Sequence, residues 1–198
     1  MKPKNNKTIE NYIENASPMN WFDYARELKE ASEELWNSNS NTLIGFQENE
    51  NTYYKKNFSR TYFILIGLAI ENLMKGILIS ENPDYIKNGK INSEISSGHN
   101  LEYLSKKIKT LSFIEKEKEI FKILSMVIPY WGKYPIPKNF NQLESEIFMT
   151  EKWFYDLIEL YSKLEFKLCE LNINGIKGPN GIEFPKLYVE GITEKIKL

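Results

Sequence analysis

The chain has 198 residues, with 26 basic and 27 acidic side chains, and 41% of its residues are hydrophobic. This length suits one domain, and the apolar share is enough for a core, which excludes a wholly disordered chain. The net charge of −1 excludes polyanion binding through overall charge. The single cysteine, Cys169, excludes an internal disulfide and is expected to be a small buried hydrophobe, and the single histidine, His99, excludes a multi-histidine metal centre.

The first half of the chain predicts an N-terminal arm followed by two helices. Residues 1–16 are polar and no long apolar run follows them, so we expect a loose arm and no secretory signal. Ser17-Pro18 suits a helix start, and the apolar residues after it recur every three or four positions, which predicts a helix over 18–37. A longer stripe with the same spacing predicts a second helix over 54–81.

The most apolar part of the second helix, residues 62–79, is long enough to cross a bilayer. Glu71, Asn72 and Lys75 lie near its middle, and each ionised group there would cost roughly 2.5–3.5 kcal/mol on insertion. A buried helix is therefore the favoured interpretation. We expect a cytoplasmic protein that has no membrane partner.

The second half of the chain predicts three more helices and a tail. Apolar spacing places the helices at about 100–110, 113–128 and 143–171, and Thr150 is a second candidate start for the last one. A Gly-Pro-Asn-Gly sequence at 178–181 predicts the turn of a short hairpin. The predicted fold is all-α, with a polar arm over 1–16, an antiparallel bundle of about five helices over 17–172, and a Gly/Pro-rich tail over 173–198.

Several common catalytic motifs do not occur in the sequence. It contains no P-loop, no glycine-rich dinucleotide motif, no zinc-protease histidine pair, no EF-hand loop and no serine nucleophile elbow. The usual NTPase, metalloprotease and hydrolase mechanisms are therefore disfavoured. We expect neither a metal nor a cofactor.

Glu71, Lys75 and His99 are the first candidates for a functional site. Glu71 and Lys75 are four residues apart and can form an ion pair on one helix face. That pair lies either at the surface or, because the helix is apolar nearly all round, in a cleft or against a partner subunit. His99 precedes the third predicted helix. It is either a structural cap of that helix, with its ring bonded to the backbone or to a neighbouring carboxylate, or a general acid or base.

The segment 129–137 is the second candidate region. It contains Trp131, Lys133 and Tyr134, and aromatic faces beside a cation can hold a base and its phosphate. The alternative is a packed lid over the end of the bundle. Arg60, one turn before the core of the second helix, either binds phosphate or pairs with a glutamate.

Three segments together resemble the HEPN superfamily of helical domains. LAIENLMKGIL at 68–78 resembles that family's A-x-E-x-x-x-K-x-x-L helix, and GHNLEYL at 98–104 resembles its H-[DN]-L-x-x-L helix start. KYP at 133–135 resembles its R-Y-P ending, and the order and spacing fit. The resemblance covers about residues 58–137. It marks as family positions Glu71, Lys75, His99, Lys133, Tyr134 and Pro135.

The resemblance implies an α-helical bundle that commonly forms a homodimer. It also implies nucleotide or RNA binding in a bacterial stress, phage-defence or toxin–antitoxin system. Many relatives are metal-independent ribonucleases with an R-x(4–6)-H motif, but positions 92–95 before His99 are Asn, Ser, Glu and Ile, so that motif is absent. Lys133 stands where the family has the arginine of R-Y-P, which keeps the charge and loses the bidentate fork.

Three functional hypotheses follow. The first is a HEPN-like module without the family's usual ribonuclease activity, which binds nucleotide, RNA or a protein partner near His99. In it Lys133 and Arg60 contact phosphate, while Trp131 and Tyr134 stack on bases. The second is a metal-independent endoribonuclease toxin that uses His99 with Arg60 or Lys133. The third is a purely structural protein, which acts as an interaction subunit in a complex with a cognate protein partner.

Overall fold

The fold is given by a computed structural model, which describes residues 8–38, 43–56, 58–96, 98–131, 141, 147 and 149–196. Within these residues the chain is mostly α-helical, as the sequence predicts, and every strand belongs to a short antiparallel hairpin. The helices are α1 (Ile9–Asn15), α2 (Pro18–Asn37), α3 (Ser59–Glu81), α4 (Ser93–Ser96), α5 (Leu101–Lys107), α6 (Glu115–Trp131), α7 (Glu151–Asn172) and α8 (Thr193–Ile196). The hairpins are β1 (Leu43–Glu48) with β2 (Asn51–Lys56), β3 (Ile86–Lys87) with β4 (Lys90–Ile91), and β5 (Ile176–Lys177) with β6 (Glu183–Phe184).

Helix α3 is the centre of the hydrophobic core and packs against α2, α5, α6 and α7. Two of its glycines allow neighbouring helices to come close. A Cβ added at Gly67 would lie 2.9 Å from Cδ1 of Ile128 on α6, and one at Gly76 would lie 2.9 Å from Cδ2 of Leu168 on α7. The bare backbone at these positions therefore sets how closely α6 and α7 approach the central helix.

Helix α3 is also, within the described part of the chain, the one helix long and apolar enough to cross a membrane. However, 72% of its most apolar window is buried inside the fold. This burial is typical of the core helix of a soluble protein, and it agrees with the interpretation drawn from Glu71, Asn72 and Lys75. The cytoplasmic location stays a prediction.

Several predicted elements are confirmed. Helix α2 has the predicted bounds, with Pro18 at its first position. Helix α7 begins after Thr150, whose hydroxyl accepts a hydrogen bond from the backbone N–H of Trp153 at 3.3 Å. The predicted C-terminal hairpin is present as β5–β6, in which Ile176 pairs with Phe184. Cys169 is fully buried, and burial raises the pKa of its thiol to about 12.

The predicted second helix begins too early. Tyr54 lies in β2, where it pairs with Gly45, and α3 begins only at Ser59. The helical spacing before Ser59 rests on Tyr54 and Phe58 alone, with polar residues between them, which is too little to separate a helical turn from a strand end. The β3–β4 hairpin is likewise absent from the prediction. Its turn is formed by Asn88 and Gly89, which both have positive φ (52° and 67°), and Asn-Gly is the sequence that such turns prefer.

Two helix ends also differ from the prediction. Helix α6 continues past 128 through Pro129 to Trp131, since a proline near a helix end removes only one backbone bond of the last turn. The last helix is predicted to begin at 143, but positions 149 and 150 are not helical, so the prediction is wrong there. Residues 142–146 and 148 lie outside the described residues.

The region predicted as a polar arm contains α1. The hydroxyl of Thr8 caps this helix by accepting from the N–H of Asn11 at 3.1 Å, and the side chain of Ile13 is fully buried. Helix α1 is thus attached to the core through Ile13. The division of the chain at 16 and 172 stays a prediction.

Helices α6 and α7 are joined at the surface by ion pairs. The carboxylate of Asp156 on α7 lies 2.8 Å from Nζ of Lys116 on α6 and 2.7 Å from Nζ of Lys152. Burial alone would raise the pKa of Asp156, but these two lysines lower it below the ordinary value of 3.8. The ion pairs of Asp156 therefore stabilise the folded state as long as its carboxylate is ionised.

Candidate functional site

The buried carboxylate of Glu71 joins Lys75 and His99. Glu71 is 2% exposed, and its Oε1 atom lies 2.5 Å from Nζ of Lys75 one turn later on α3. Its Oε2 atom lies 2.8 Å from Nδ1 of His99, which is 28 residues away in sequence. Each carboxylate oxygen therefore has one strong partner, as a buried charge requires.

Lys75 is nearly as buried as Glu71. It is 8% exposed, and its Nζ atom lies 5.8 Å from the centre of the Trp21 ring on α2. An ammonium group at this distance from an aromatic face is within the range of a cation–π interaction. The Glu71–Lys75 pair is thus a buried pair rather than a surface pair, which decides between the two interpretations given for it.

The imidazole of His99 is oriented by the protein and open to solvent. Its side chain is 43% exposed, in contrast to the 3% of Glu71. An ionised carboxylate can only accept a hydrogen bond, so the neutral ring donates from Nδ1 and keeps its lone pair at Nε2. Among the described residues no group makes a hydrogen bond to Nε2, and this nitrogen is therefore available to a ligand or to a reacting proton.

Local sequence explains why His99 stands where it does. Gly98 has a φ of +79°, a left-handed conformation that glycine adopts readily, and it turns the chain into α5. Asn100 then caps α5 by accepting from the N–H of Tyr103 at 2.9 Å. Asn100 therefore provides the cap in place of His99, while the contact of the His99 ring with a neighbouring carboxylate, which the structural alternative also expects, is present as the bond to Glu71.

The first backbone amides of α5 are all occupied. The hydroxyl of Ser125 on α6 accepts from the N–H groups of Leu101 at 2.8 Å and Glu102 at 3.3 Å, and the next amide bonds to Asn100. Ser125 itself donates to the carbonyl of Phe121 at 2.6 Å. An anion near His99 would therefore have to bind through side chains rather than through this helix start.

Of the remaining predicted site residues, Arg60 is not brought to His99. Arg60 is partly buried in the first turn of α3, eleven residues before Glu71, which is about 16 Å along the helix axis. Trp131 is the last residue of α6, and Lys133 and Tyr134, like Pro135, lie outside the described residues. The contacts expected for segment 129–137 stay predictions, as does its alternative role as a lid.

Two members of the site were not found by sequence reasoning. Ser125 carried no signal, because a serine inside an apolar helix stripe is unremarkable until its partner α5 is placed. Trp21 belongs to the apolar stripe of α2 and was not separated from the core residues around it. In the described part of the chain, no group of three His, Cys, Asp or Glu side chains is placed to hold a metal ion.

A comparison of the chain with protein-family models, with curated proteins and with solved structures finds no match. The resemblance to the HEPN superfamily therefore rests on the three sequence segments, two of which lie in the described residues. Those two segments supply Glu71, Lys75 and His99, which the fold brings into contact.

Proposed function

We propose that this chain is a HEPN-like helical module that binds a nucleotide or RNA through His99, without the family's usual ribonuclease activity. The observation that carries the proposal is the solvent-exposed imidazole held at Nδ1 by the buried carboxylate of Glu71. Burying a carboxylate costs free energy. A functional reason for burying Glu71 is that it orients the His99 ring for ligand binding. The stress, phage-defence or toxin–antitoxin setting comes from the resemblance alone.

The proposed module is an antiparallel bundle of about five helices, namely α2, α3, α5, α6 and α7. The resemblance further implies a homodimer. In this arrangement the site lies where the start of α5 meets the middle of α3, because His99 and Glu71 come from those two elements.

The chemistry of His99 suits a ribonucleotide. The neutral ring accepts a hydrogen bond at Nε2 from a ribose 2′-hydroxyl, and the imidazolium form donates one to a phosphate oxygen. RNA is therefore preferred over DNA of the same sequence. Phosphate contacts from Lys133 and Arg60, and stacking on Trp131 and Tyr134, belong to the same proposal.

A test is the binding of a short single-stranded RNA, measured by fluorescence anisotropy. His99→Ala should weaken binding at least about tenfold, as expected for the loss of a hydrogen bond to a charged group. His99→Gln should weaken it similarly while keeping a donor for Glu71. Lys106→Ala is the control, because it removes a positive charge from an exposed position on α5 and should change binding little.

Thermal unfolding of the same variants separates binding from folding. If His99→Gln unfolds like the unchanged protein and binds RNA equally well, His99 does not contact RNA and the proposal is wrong. If the unchanged protein binds no RNA or nucleotide, and His99→Ala only lowers the midpoint of unfolding, His99 is a tether between α3 and α5. That result supports the third hypothesis, a structural subunit of a cognate protein partner.

One observation favours a metal-independent ribonuclease as a second candidate. A carboxylate that orients an imidazole is the arrangement of a general base and its orienting group. Nε2 of His99 would take the proton of a 2′-hydroxyl, whose oxygen attacks the adjacent phosphorus. The 5′-oxygen of the next nucleotide leaves with a proton taken from water, which gives a 2′,3′-cyclic phosphate, and the imidazolium of His99 then releases its proton to solvent.

Cleavage of RNA in the presence of a chelator tests this candidate. Activity that falls at least about a hundredfold in His99→Ala would support it, since general acid–base catalysis contributes that much. Unchanged cleavage in His99→Ala would remove His99 from the reaction. Arg60→Ala and Lys133→Ala then test the predicted stabilisation of the transition-state charge.

A further inference from the structure

A cavity of about 370 Å³ lies beside the Glu71 site, between α1, α2, α3 and β4. It is at the small end of the range for small-molecule sites. Asn72, the residue after Glu71, lines the cavity. Trp21 lines it too, and its ring also contacts the ammonium group of Lys75. The cavity and the site around His99 thus share one turn of α3.

Three aromatic side chains line the cavity: Tyr12, Trp21 and Tyr24. Tyr12 is 38% exposed and Tyr24 is 51% exposed, so their rings are presented to solvent rather than used in the core. Trp21 is held in place because its Nε1–H donates to the carbonyl of Ala16 at 3.2 Å. Aromatic faces that are open to solvent around a cavity favour a planar ligand that stacks.

Three carboxamides also line the cavity, together with Ala16 and Ile91, and each carboxamide is oriented by a contact with the backbone. Nδ2 of Asn15 donates to the carbonyl of Asn11 at 2.6 Å, Nδ2 of Asn20 donates to that of Asn15 at 2.8 Å, and Nδ2 of Asn72 donates to that of Leu68 at 2.7 Å. A carbonyl can only accept, so these contacts fix which end of each amide is oxygen. Among the described residues nothing donates to the three Oδ1 atoms.

Among the described residues, the lining contains no carboxylate, lysine, arginine or histidine. The charged groups next to it are Lys75, whose ammonium lies on the Trp21 ring, and Glu71, which pairs with Lys75, so their charges offset each other. The cavity therefore suits a neutral, flat ligand with hydrogen-bond donors at its edge. A nucleobase with an exocyclic amine has these properties, and carboxamides are frequent partners of adenine.

We propose that this cavity binds an amino-bearing nucleobase, with adenine as the best fit, stacked against Tyr24 and Trp21 and read by the carboxamide oxygens. The choice of a nucleotide as the ligand rests on the proposed function. The cavity would bind the base, which is the part of the nucleotide that His99 does not contact. The ribose and phosphate would extend from the base towards the turn of α3 that carries Glu71.

The experiment uses adenosine, which has the base and lacks the phosphate, and measures its binding to the full chain by calorimetry. Tyr24→Ala should weaken binding at least about tenfold, whereas Tyr24→Phe should keep it, because the stacking face is retained. Tyr155→Ala is the matched control, since Tyr155 is 66% exposed on α7 and does not line the cavity. Purine riboside, which has no exocyclic amine, should bind about fivefold more weakly than adenosine.

The outcomes separate this proposal from the proposed function. RNA binding that depends on His99, together with no heat from adenosine at millimolar concentration, would overturn the cavity proposal and leave the proposed function standing. Adenosine binding that is lost in Tyr24→Ala and only weakened in His99→Ala, which removes the contact to the ribose, would support the cavity. Light scattering on the same samples completes the test, because a dimer that dissociates in Tyr24→Ala, without adenosine binding, would mean that a second copy covers this surface.

Discussion

Glu71→Ala removes the carboxylate that both Lys75 and His99 contact. Breaking a buried ion pair by removing one partner typically costs about 3–5 kcal/mol, because the other charge stays buried. The side chain of Lys75 is 10% exposed and that of His99 is 43% exposed, so both regain part of their hydration. We therefore expect the lower end of this range, a loss of about 3 kcal/mol in the free energy of unfolding.

The double variant Glu71→Leu/Lys75→Met is the informative control. It replaces the buried pair by apolar side chains of similar size, a change that is often neutral or stabilising. The hydrogen bond to His99, worth about 1 kcal/mol, and the cation–π contact of Lys75 with Trp21, worth about 0.5–1 kcal/mol, are then lost. Urea unfolding followed by circular dichroism measures both variants. If Glu71→Ala loses less than about 1 kcal/mol, or the double variant is the less stable of the two, the pair is not buried and the reasoning fails.

Two further predictions concern the rest of the fold. Gly76→Ala would bring a methyl group to within 2.9 Å of Leu168. In a urea titration it should lower the free energy of unfolding by about 1–3 kcal/mol, with an unchanged denaturant slope. An unchanged midpoint would contradict the close approach of α3 and α7. The pKa of Asp156 is lowered in the folded state, so its ionised form contributes stability near neutral pH that is lost as the pH falls below the ordinary value of 3.8 and through the lower folded value. The stability difference between the unchanged protein and Asp156→Asn should therefore shrink in acid, and a difference that stays constant with pH would refute the assignment.

The long helices could be predicted because each has a stripe of apolar residues at helical spacing. This signal gave the bounds of α2 and, with the threonine cap, the start of α7. The same signal failed at Tyr54, since two apolar residues four apart, with polar residues between them, fit either a strand end or another helical turn. The β3–β4 hairpin carries the Asn88-Gly89 turn signal, but its strands have only two residues each, too few for an alternating pattern.

The candidate site could be predicted only in part. The spacing of Glu71 and Lys75 on one helix indicated their contact directly, since residues four apart in a helix are neighbours. The contact between Glu71 and His99 spans 28 residues and depends on how α5 packs against α3 and α6. No local pattern encodes that packing, and the three segments of the resemblance were the reason to expect it. The distance of Arg60 from the site follows simply from its position on the same rigid helix.

The measurement that tests the account most directly is nitrogen NMR of the imidazole ring of His99. The chain has one histidine, so in protein labelled with ¹⁵N at histidine the signals belong to this residue without further assignment. We predict a proton fixed at Nδ1 by the hydrogen bond to Glu71, and an Nε2 signal that moves when adenosine monophosphate or RNA is added. A mixture of tautomers that resembles free histidine, and signals that stay unchanged with either ligand, would contradict the claim that Glu71 holds His99 ready to bind.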